Sequence, residues 1–130
     1  MKMREERIIL FSDREEEIVN LLIKIGTGRN IASTLVFLAR THEATSREIE
    51  RGTTMQQPAV SIAMKYLIER HWVTSCEIPS VWKARPMKKY SLAISFKEIL
   101  AVITKEKKRE ANNHLEVIQK LREEIVTVPV

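Results

Sequence analysis

Apolar residues recur at helical spacing early in the chain and predict two helices. Ser12 and Glu15 have the spacing of a capping box, and the apolar stripe that follows stops at Gly26. We therefore expect a first helix over residues 13–25 and a loop over 26–30. A second stripe at three- and four-residue steps predicts a helix over residues 31–42.

A short helix followed by a longer one is predicted for residues 45–71. Thr45 or Ser46 is in position to cap a helix over residues 47–51 that stops at Gly52. Pro58 fits only the first turn of a helix, so the longer helix should run from about 57 to 71. Its buried stripe is narrow and consists of Val60, Met64 and Leu67. The layout is that of a helix-turn-helix.

The next pattern is that of a β-hairpin. Residues 72–78 and 87–92 are rich in strand formers, and prolines mark a tip over residues 79–86. Two strands alone are marginally stable, so we expect the hairpin to pack against the helices as a wing. We expect Trp72 to lie in the core.

A long C-terminal helix is predicted from a second capping box at Ser95 and Glu98 to about residue 125. A helix of about 30 residues reaches about 45 Å, more than a domain of this size can cover. A second copy of the chain is the simplest surface to cover the rest. The alternative is a kink in the charged run 105–110 and a fold-back onto the same domain. The candidate dimer interface is the apolar stripe Leu115, Ile118, Leu121 and Ile125.

The positive charge is concentrated in one segment. The net charge is +5, and residues 58–93 carry six Lys or Arg against two Asp or Glu, a local excess of +4. A localised basic surface suggests a polyanionic partner such as DNA, although a solvated face has the same composition.

Four segments together resemble prokaryotic winged-helix regulators of the ArsR, MarR and TrmB-like groups, and the set suggests an archaeal member. They are residues 45–52 (TSREIERG), 57–61 (QPAVS), 67–73 (LIERHWV) and 85–92 (RPMKKYSL). The resemblance covers about residues 31–93 and implies a mainly α winged-helix fold with a small β-hairpin wing and a regulator that binds double-stranded DNA. Together with the helix pattern it predicts a DNA-binding domain over residues 1–94 and a dimerisation helix over 95–130. The apolar stripe of the long helix predicts a homodimer, and a cytoplasmic location is the expectation for a chain with neither a membrane span nor a secretory signal. Such families commonly have glycine at the positions of His71 and Ala84. The geometry of the turns at these two residues is therefore not predicted.

Within that reading, the recognition helix 57–71 enters the major groove and the wing 79–86 meets the backbone or the minor groove. Gln56 and Gln57 can bond adenine, and an exposed Ile62 can meet a thymine methyl. The full set of candidate DNA contacts is Ser46, Arg47, Gln56, Gln57, Ser61, Ile62, Lys65, Lys83, Arg85 and Lys88. The alternatives are that the glutamines act as caps or are solvated and that Ser61 bonds its own helix. Trp82 at the wing tip either makes an external contact or packs on the protein itself.

Other function classes find no support in the sequence. His42, His71 and His114 are scattered, and Cys76 lacks the paired spacing of a metal site. We therefore predict no enzyme, no cofactor and no metal. No apolar run approaches the roughly 20 residues of a membrane span, and the N-terminus lacks the pattern of a secretory signal. The competing reading is a winged-helix module that binds protein instead of DNA. An effector or protein partner is possible, and its identity is not encoded in any motif.

Overall fold

In the computed structural model, which describes residues 11–78 and 87–128, the chain forms five helices and three strands. They are, in chain order, α1 (Asp13–Lys24), α2 (Arg29–Thr41), β1 (Glu43–Thr45), α3 (Ser46–Thr53), α4 (Gln57–Glu69), β2 (Val73–Ile78), β3 (Met87–Leu92) and α5 (Phe96–Thr127). The chain divides into two compact units, Met1–Phe96 and Lys97–Val130. The mainly α fold with a small β-hairpin and a long C-terminal helix is confirmed. The predicted boundary at residue 94 between functional domains stays a prediction.

Helix α2 is the centre of the first unit. Every side chain from Ala32 to Leu38 is buried, and α1, α3, α4 and β3 all contact this helix. The predicted buried stripe of α4 is confirmed, and Trp72 lies in the core with only 5% of its surface exposed. The helix-turn-helix pair α3–α4 therefore rests on a buried helical platform.

The sheet has one more strand than the predicted hairpin. The strand order is β1-β3-β2, and both neighbours run antiparallel to β3. In β1, Ala44 is fully buried and pairs with Tyr90, while Glu43 binds Lys89 with an Nζ–O distance of 3.3 Å. The three-stranded sheet gives the hairpin support beyond its packing against helices.

The start and end of α3 differ from the prediction. Thr45, and not Ser46, caps the helix, because its hydroxyl accepts from the Glu48 N–H while the Glu48 carboxylate accepts from the Thr45 N–H. Gly52 does not stop the helix but lies inside it, and the left-handed residue that ends it is Thr54. Gly52 is instead required by packing, because Phe37 of α2 lies against its Cα.

Helix α5 is continuous through the charged run 105–110, as the predicted long helix requires, and the alternative of a kink in that run is not what the structure shows. Its 32 residues correspond to a length of about 48 Å. Ile99 and Ile103 are buried near its start, whereas every side chain from Lys108 to Val126 is exposed. Among the described residues, no helix combines the length and apolar character needed to cross a bilayer.

The turn after α4 shows how His71 replaces a glycine. His71 has φ 64°, its N–H donates to Ile68 O at 2.9 Å, and the Trp72 N–H donates to Leu67 O at 3.0 Å. These two bonds form a Schellman motif, in which the left-handed residue is usually glycine. The expected turn is therefore retained with a strained, exposed histidine.

We expect His71→Gly to stabilise the protein by about 1 kcal/mol, because glycine adopts this conformation without the Cβ penalty. The free energy of unfolding in urea measures the effect. His71→Ala is the matched control, since alanine keeps the strain and should give no gain. Equal stabilisation by both substitutions would show that removing the imidazole, and not relieving the backbone, is what matters.

Candidate nucleic-acid interface

The buried and the exposed side chains of α4 lie on opposite faces, as the spacing of its apolar residues predicts. Val60, Met64 and Leu67 are at most 3% exposed, whereas Ile62 is 71% exposed and Lys65 lies on the same outer side. The 3.6-residue period of the helix requires this separation once one stripe is fixed in the core. The outer face of α4 is therefore a rigid surface whose position is set by its buried side.

The start of α4 presents two glutamines. Gln56 is the N-cap residue with extended backbone, its side chain makes no cap hydrogen bond, and Gln57 is the first residue of the helix. Both are exposed. The alternative in which Gln56 is a capping side chain is therefore wrong, because the amide bonds no backbone N–H of the first turn. Each amide is accessible to a partner at the end of the helix.

Ser61 lies on the exposed side of α4, one turn after Gln57. Within residues 11–78 and 87–128 its hydroxyl has no hydrogen bond to the helix backbone, in contrast to the Thr104 hydroxyl, which donates to Leu100 O at 2.8 Å. The alternative in which Ser61 bonds its own helix is therefore not what the structure shows. The hydroxyl is accessible, as a phosphate donor would have to be.

At the start of α3, Arg47 is exposed and Ser46 is half-buried. The Glu48 carboxylate, 2.9 Å from the Thr45 nitrogen, adds a negative charge to the same turn. A phosphate bound here would be attracted by the helix dipole and by Arg47 but repelled by the Glu48 carboxylate. The start of α3 is therefore a weaker anion site than its serine and arginine alone suggest.

Arg70, at the end of α4, has a role that the charge count does not reveal. Its guanidinium carbon lies 4.1 Å from the centroid of the Trp72 ring and 5.6 Å from that of Tyr66. Arg70 thus stacks on the core tryptophan and supports an exposed tyrosine on the outer face of α4. The signal in the sequence was the spacing of Tyr66 and Arg70, which are four residues apart and so share a face.

The two lysines of β3 differ in their surroundings. Lys89 is engaged with Glu43 of β1, while Lys88 is exposed and lies opposite Glu77 in the β2–β3 register. Consecutive residues of a strand point to opposite faces, so only one of the pair was expected to be available to DNA. Lys88 is the accessible lysine. Lys83 and Arg85, together with Trp82 and the rest of the predicted tip, lie outside the described residues.

The second half of α5 carries the predicted apolar stripe on its surface. Leu115, Ile118, Leu121 and Ile125 have exposed fractions between 45% and 62%. Val117 is also 58% exposed, which widens the apolar surface beyond the predicted stripe. These side chains are uncovered within the single chain.

Among the described residues, no cluster of three or more His, Cys, Asp or Glu side chains is arranged to hold a metal ion. Cys76 is an exposed strand residue.

Comparison with known proteins finds similar structures but no match at the level of sequence. No family model matches the chain, and no curated protein matches it in sequence. The fold is similar to that of TrmBL2, an archaeal chromatin protein, with a TM-score of 0.66 and 17% identity over 86% of this chain. The chain spans only 40% of the length of TrmBL2.

Two further solved structures cover most of this chain at a lower similarity. A MarR-family transcriptional regulator from Silicibacter pomeroyi has a TM-score of 0.49 and 15% identity, covering 90% of this chain and 82% of its own. A mutant of MepR from S. aureus has a TM-score of 0.49 and 13% identity, covering 88% and 86%. The likeness to TrmBL2 carries the fold assignment: the chain has a winged-helix fold.

Proposed function

We propose that this protein binds double-stranded DNA in a sequence-specific manner and regulates transcription as a homodimer. The observation that carries the proposal is the outer face of α4, where Gln56, Gln57, Ser61 and Lys65 are exposed on a helix locked into the core by its other side. A rigid helix with accessible amides at its start and a cation further along its exposed side is what major-groove readout requires. The similar protein TrmBL2 is described as having a novel mode of DNA binding, which supports the same class of ligand.

Each proposed contact follows from the chemistry of its side chain. Gln56 and Gln57 read adenine edges, and Ile62 packs against a thymine methyl, which together favour sites rich in A·T pairs. Phosphates are contacted by polar and basic side chains of α3, α4 and β3, namely Ser46, Arg47, Ser61, Lys65 and Lys88. Lys83 and Arg85 of the predicted tip contact phosphates as well or enter the minor groove. Such a regulator works where the DNA is, which for a prokaryotic protein is the cytoplasm.

The dimer in this proposal is formed by the exposed stripe of α5. Full burial of a large aliphatic side chain is worth about 1.5 to 3 kcal/mol, and a two-fold pair would bury the four stripe residues of both chains at once. Two recognition helices related by a two-fold axis match a palindromic operator with half-sites about one turn apart.

A second candidate function is binding of another protein through the same face of α4. It is favoured by the apolar share of that face, because Ile62 is 71% and Tyr66 43% exposed while Lys65 is accompanied by the anionic Glu69. Exposed apolar patches commonly mark protein interfaces. The two candidates differ in their response to salt, since DNA binding releases counterions and apolar docking does not.

Gln57→Ala is expected to lower affinity for the preferred operator by about 1 to 3 kcal/mol and to leave binding to random duplex nearly unchanged. Lys88→Gln should instead weaken all sequences alike, because phosphate contacts carry no sequence information. A selection from a randomised duplex pool measures the base preferences of each variant. Titrations of the operator and of a random duplex measure the two affinities.

Lys24→Gln, which removes the same charge from an exposed position on α1, is the control and should leave binding nearly unchanged. If the base preferences selected by Gln57→Ala equal those of the unaltered protein, Gln57 does not read bases.

A further inference from the structure

The exposed tyrosine of α4 is a further polar side chain on the proposed DNA-binding face. Tyr66 lies one turn after Ile62 on the same side of the helix and is 43% exposed. A tyrosine combines an apolar ring with a hydroxyl that donates one hydrogen bond. What packs against the ring therefore decides whether this hydroxyl is held in a fixed place.

Arg70 connects the Tyr66 ring to the core. Its guanidinium carbon lies over two rings, 5.6 Å from the centroid of Tyr66 and 4.1 Å from that of Trp72. A cation over the face of an aromatic ring is attracted by the ring quadrupole. One arginine thus links a surface ring to a core ring, and we call these three residues the aromatic stack.

The core end of the aromatic stack is fixed. Trp72 is only 5% exposed, its N–H donates to Leu67 O at 3.0 Å, and its carbonyl accepts from the Ala93 N–H at 2.7 Å. The ring is therefore held by the last turn of α4 on one side and by the chain after β3 on the other. Arg70 rests on a base that does not move relative to α4.

The position of Tyr66 along α4 selects phosphates over bases. It follows Gln57 by nine residues, which corresponds to about 13.5 Å along the helix axis. The major groove is about 8.5 Å deep and about 12 Å wide. When a helix enters the groove with its first residues at the base edges, a side chain this far along lies level with the phosphates that border the groove.

The charges next to Tyr66 bear on the approach of a phosphate. Glu69, three residues further on, is exposed and repels an anion, while the guanidinium of Arg70 beside the ring offsets that repulsion. We propose that the Tyr66 hydroxyl donates a hydrogen bond to a DNA phosphate and that Arg70 is the positioning residue that holds the ring for this contact. The proposal rests on the proposed function.

The aromatic stack acts by ordering the ring before DNA arrives. A mobile surface side chain loses rotamer freedom when it is fixed in an interface, and this loss weakens binding. A ring already held by Arg70 has lost that freedom during folding. The contribution of Arg70 to affinity therefore depends on the hydroxyl that it positions, and the effects of removing the two groups should not add.

The test is a double-mutant cycle on affinity for a labelled random duplex, measured by fluorescence anisotropy at about 0.15 M salt, where distant exposed charges are screened. Tyr66→Phe keeps the ring and should weaken binding about tenfold, because a hydrogen bond to a charged group is lost. Arg70→Met should weaken binding about threefold in the unaltered background. In the Tyr66→Phe background it should cost less than about twofold.

A second readout follows the ring itself in the free protein. The chain has two tyrosines, and NMR of labelled tyrosine rings distinguishes them. Arg70→Met should shift the Tyr66 ring signals and leave those of Tyr90 in place. Tyr90→Phe is the matched control for affinity, since it removes the same hydroxyl from a half-buried position that pairs with the buried Ala44, and it should leave DNA binding unchanged.

Each part of the proposal has its own contradicting result. If Tyr66→Phe binds the duplex as tightly as the unaltered protein, the phosphate contact does not exist, although DNA remains the partner. If Arg70→Met costs the same in both backgrounds, or leaves the Tyr66 ring signals unmoved, Arg70 does not act through Tyr66. If the unaltered protein binds no duplex at all, the proposed function falls and the phosphate contact falls with it.

Discussion

Gly52→Ala should destabilise the protein by about 3 kcal/mol or more, because over-packing a closed core forces side chains and backbone to move. A Cβ on Gly52 would overlap Cε1 of Phe37 and lie 2.7 Å from Cζ of the same ring, which is only 3% exposed. The ring cannot leave without opening the contact between α2 and α3, on which the helix-turn-helix rests. The free energy of unfolding in urea measures the loss.

Two variants test the reason for this loss. Gly28→Ala is the matched control, since no atom lies within 4 Å of a Cβ at that position and its φ is −62°. It should cost less than about 1 kcal/mol. Phe37→Leu combined with Gly52→Ala should recover part of the loss relative to the sum of the two single changes. If Gly52→Ala unfolds at the urea concentration of the unaltered protein, the close approach of α2 and α3 is incorrect.

Ile118→Glu combined with Leu121→Glu should convert the proposed dimer into a monomer. Both side chains are about half exposed in the single chain, so the substitutions should leave the monomer folded. In a dimer they would place four carboxylates in an apolar interface, where each unpaired charge is strongly unfavourable. Sedimentation or light scattering at tens of micromolar measures the mass, and operator affinity should fall by at least about 100-fold as the second half-site is lost.

Lys120→Glu is the control for charge, because it changes the net charge by the same −2 on the opposite side of α5. It should remain dimeric. Truncation after Lys105 should give the same monomer as the double substitution and bind a half-site only. A protein that is already monomeric at tens of micromolar without any substitution contradicts the assembly.

The helical spacing of apolar residues in the sequence predicts most of the elements of the fold. One buried stripe in α4 fixes the exposure of Gln57, Ile62 and Lys65, because a helix offers no other arrangement of its faces. The capping box at Ser12 predicted the start of α1 for an equally local reason. Such features depend on residues a few positions apart, which a sequence displays directly.

Features that depend on distant residues were missed. The strand β1 has three residues and one buried side chain, and its pairing with Lys89, Tyr90 and Ser91 joins segments far apart in the chain. The local pattern at Gly52 predicts a helix stop, because the residue that requires a glycine there, Phe37, lies on another helix. A cavity of about 460 Å³ beside Met55 is likewise lined by three separate segments, at residues 11–19, 29–33 and 52–55. None of these has a local pattern that could have predicted it.

The salt dependence of binding to random duplex DNA tests the central claim most directly. About four phosphate contacts in each of two subunits, at about −0.9 per phosphate, predict that the logarithm of the association constant falls with the logarithm of salt concentration at a slope of about −7. Fluorescence anisotropy of a labelled duplex at several salt concentrations gives the slope. A steep negative slope is the result expected of a DNA-binding regulator, and a slope near zero, or no binding at low salt, would contradict the proposal that DNA is the partner.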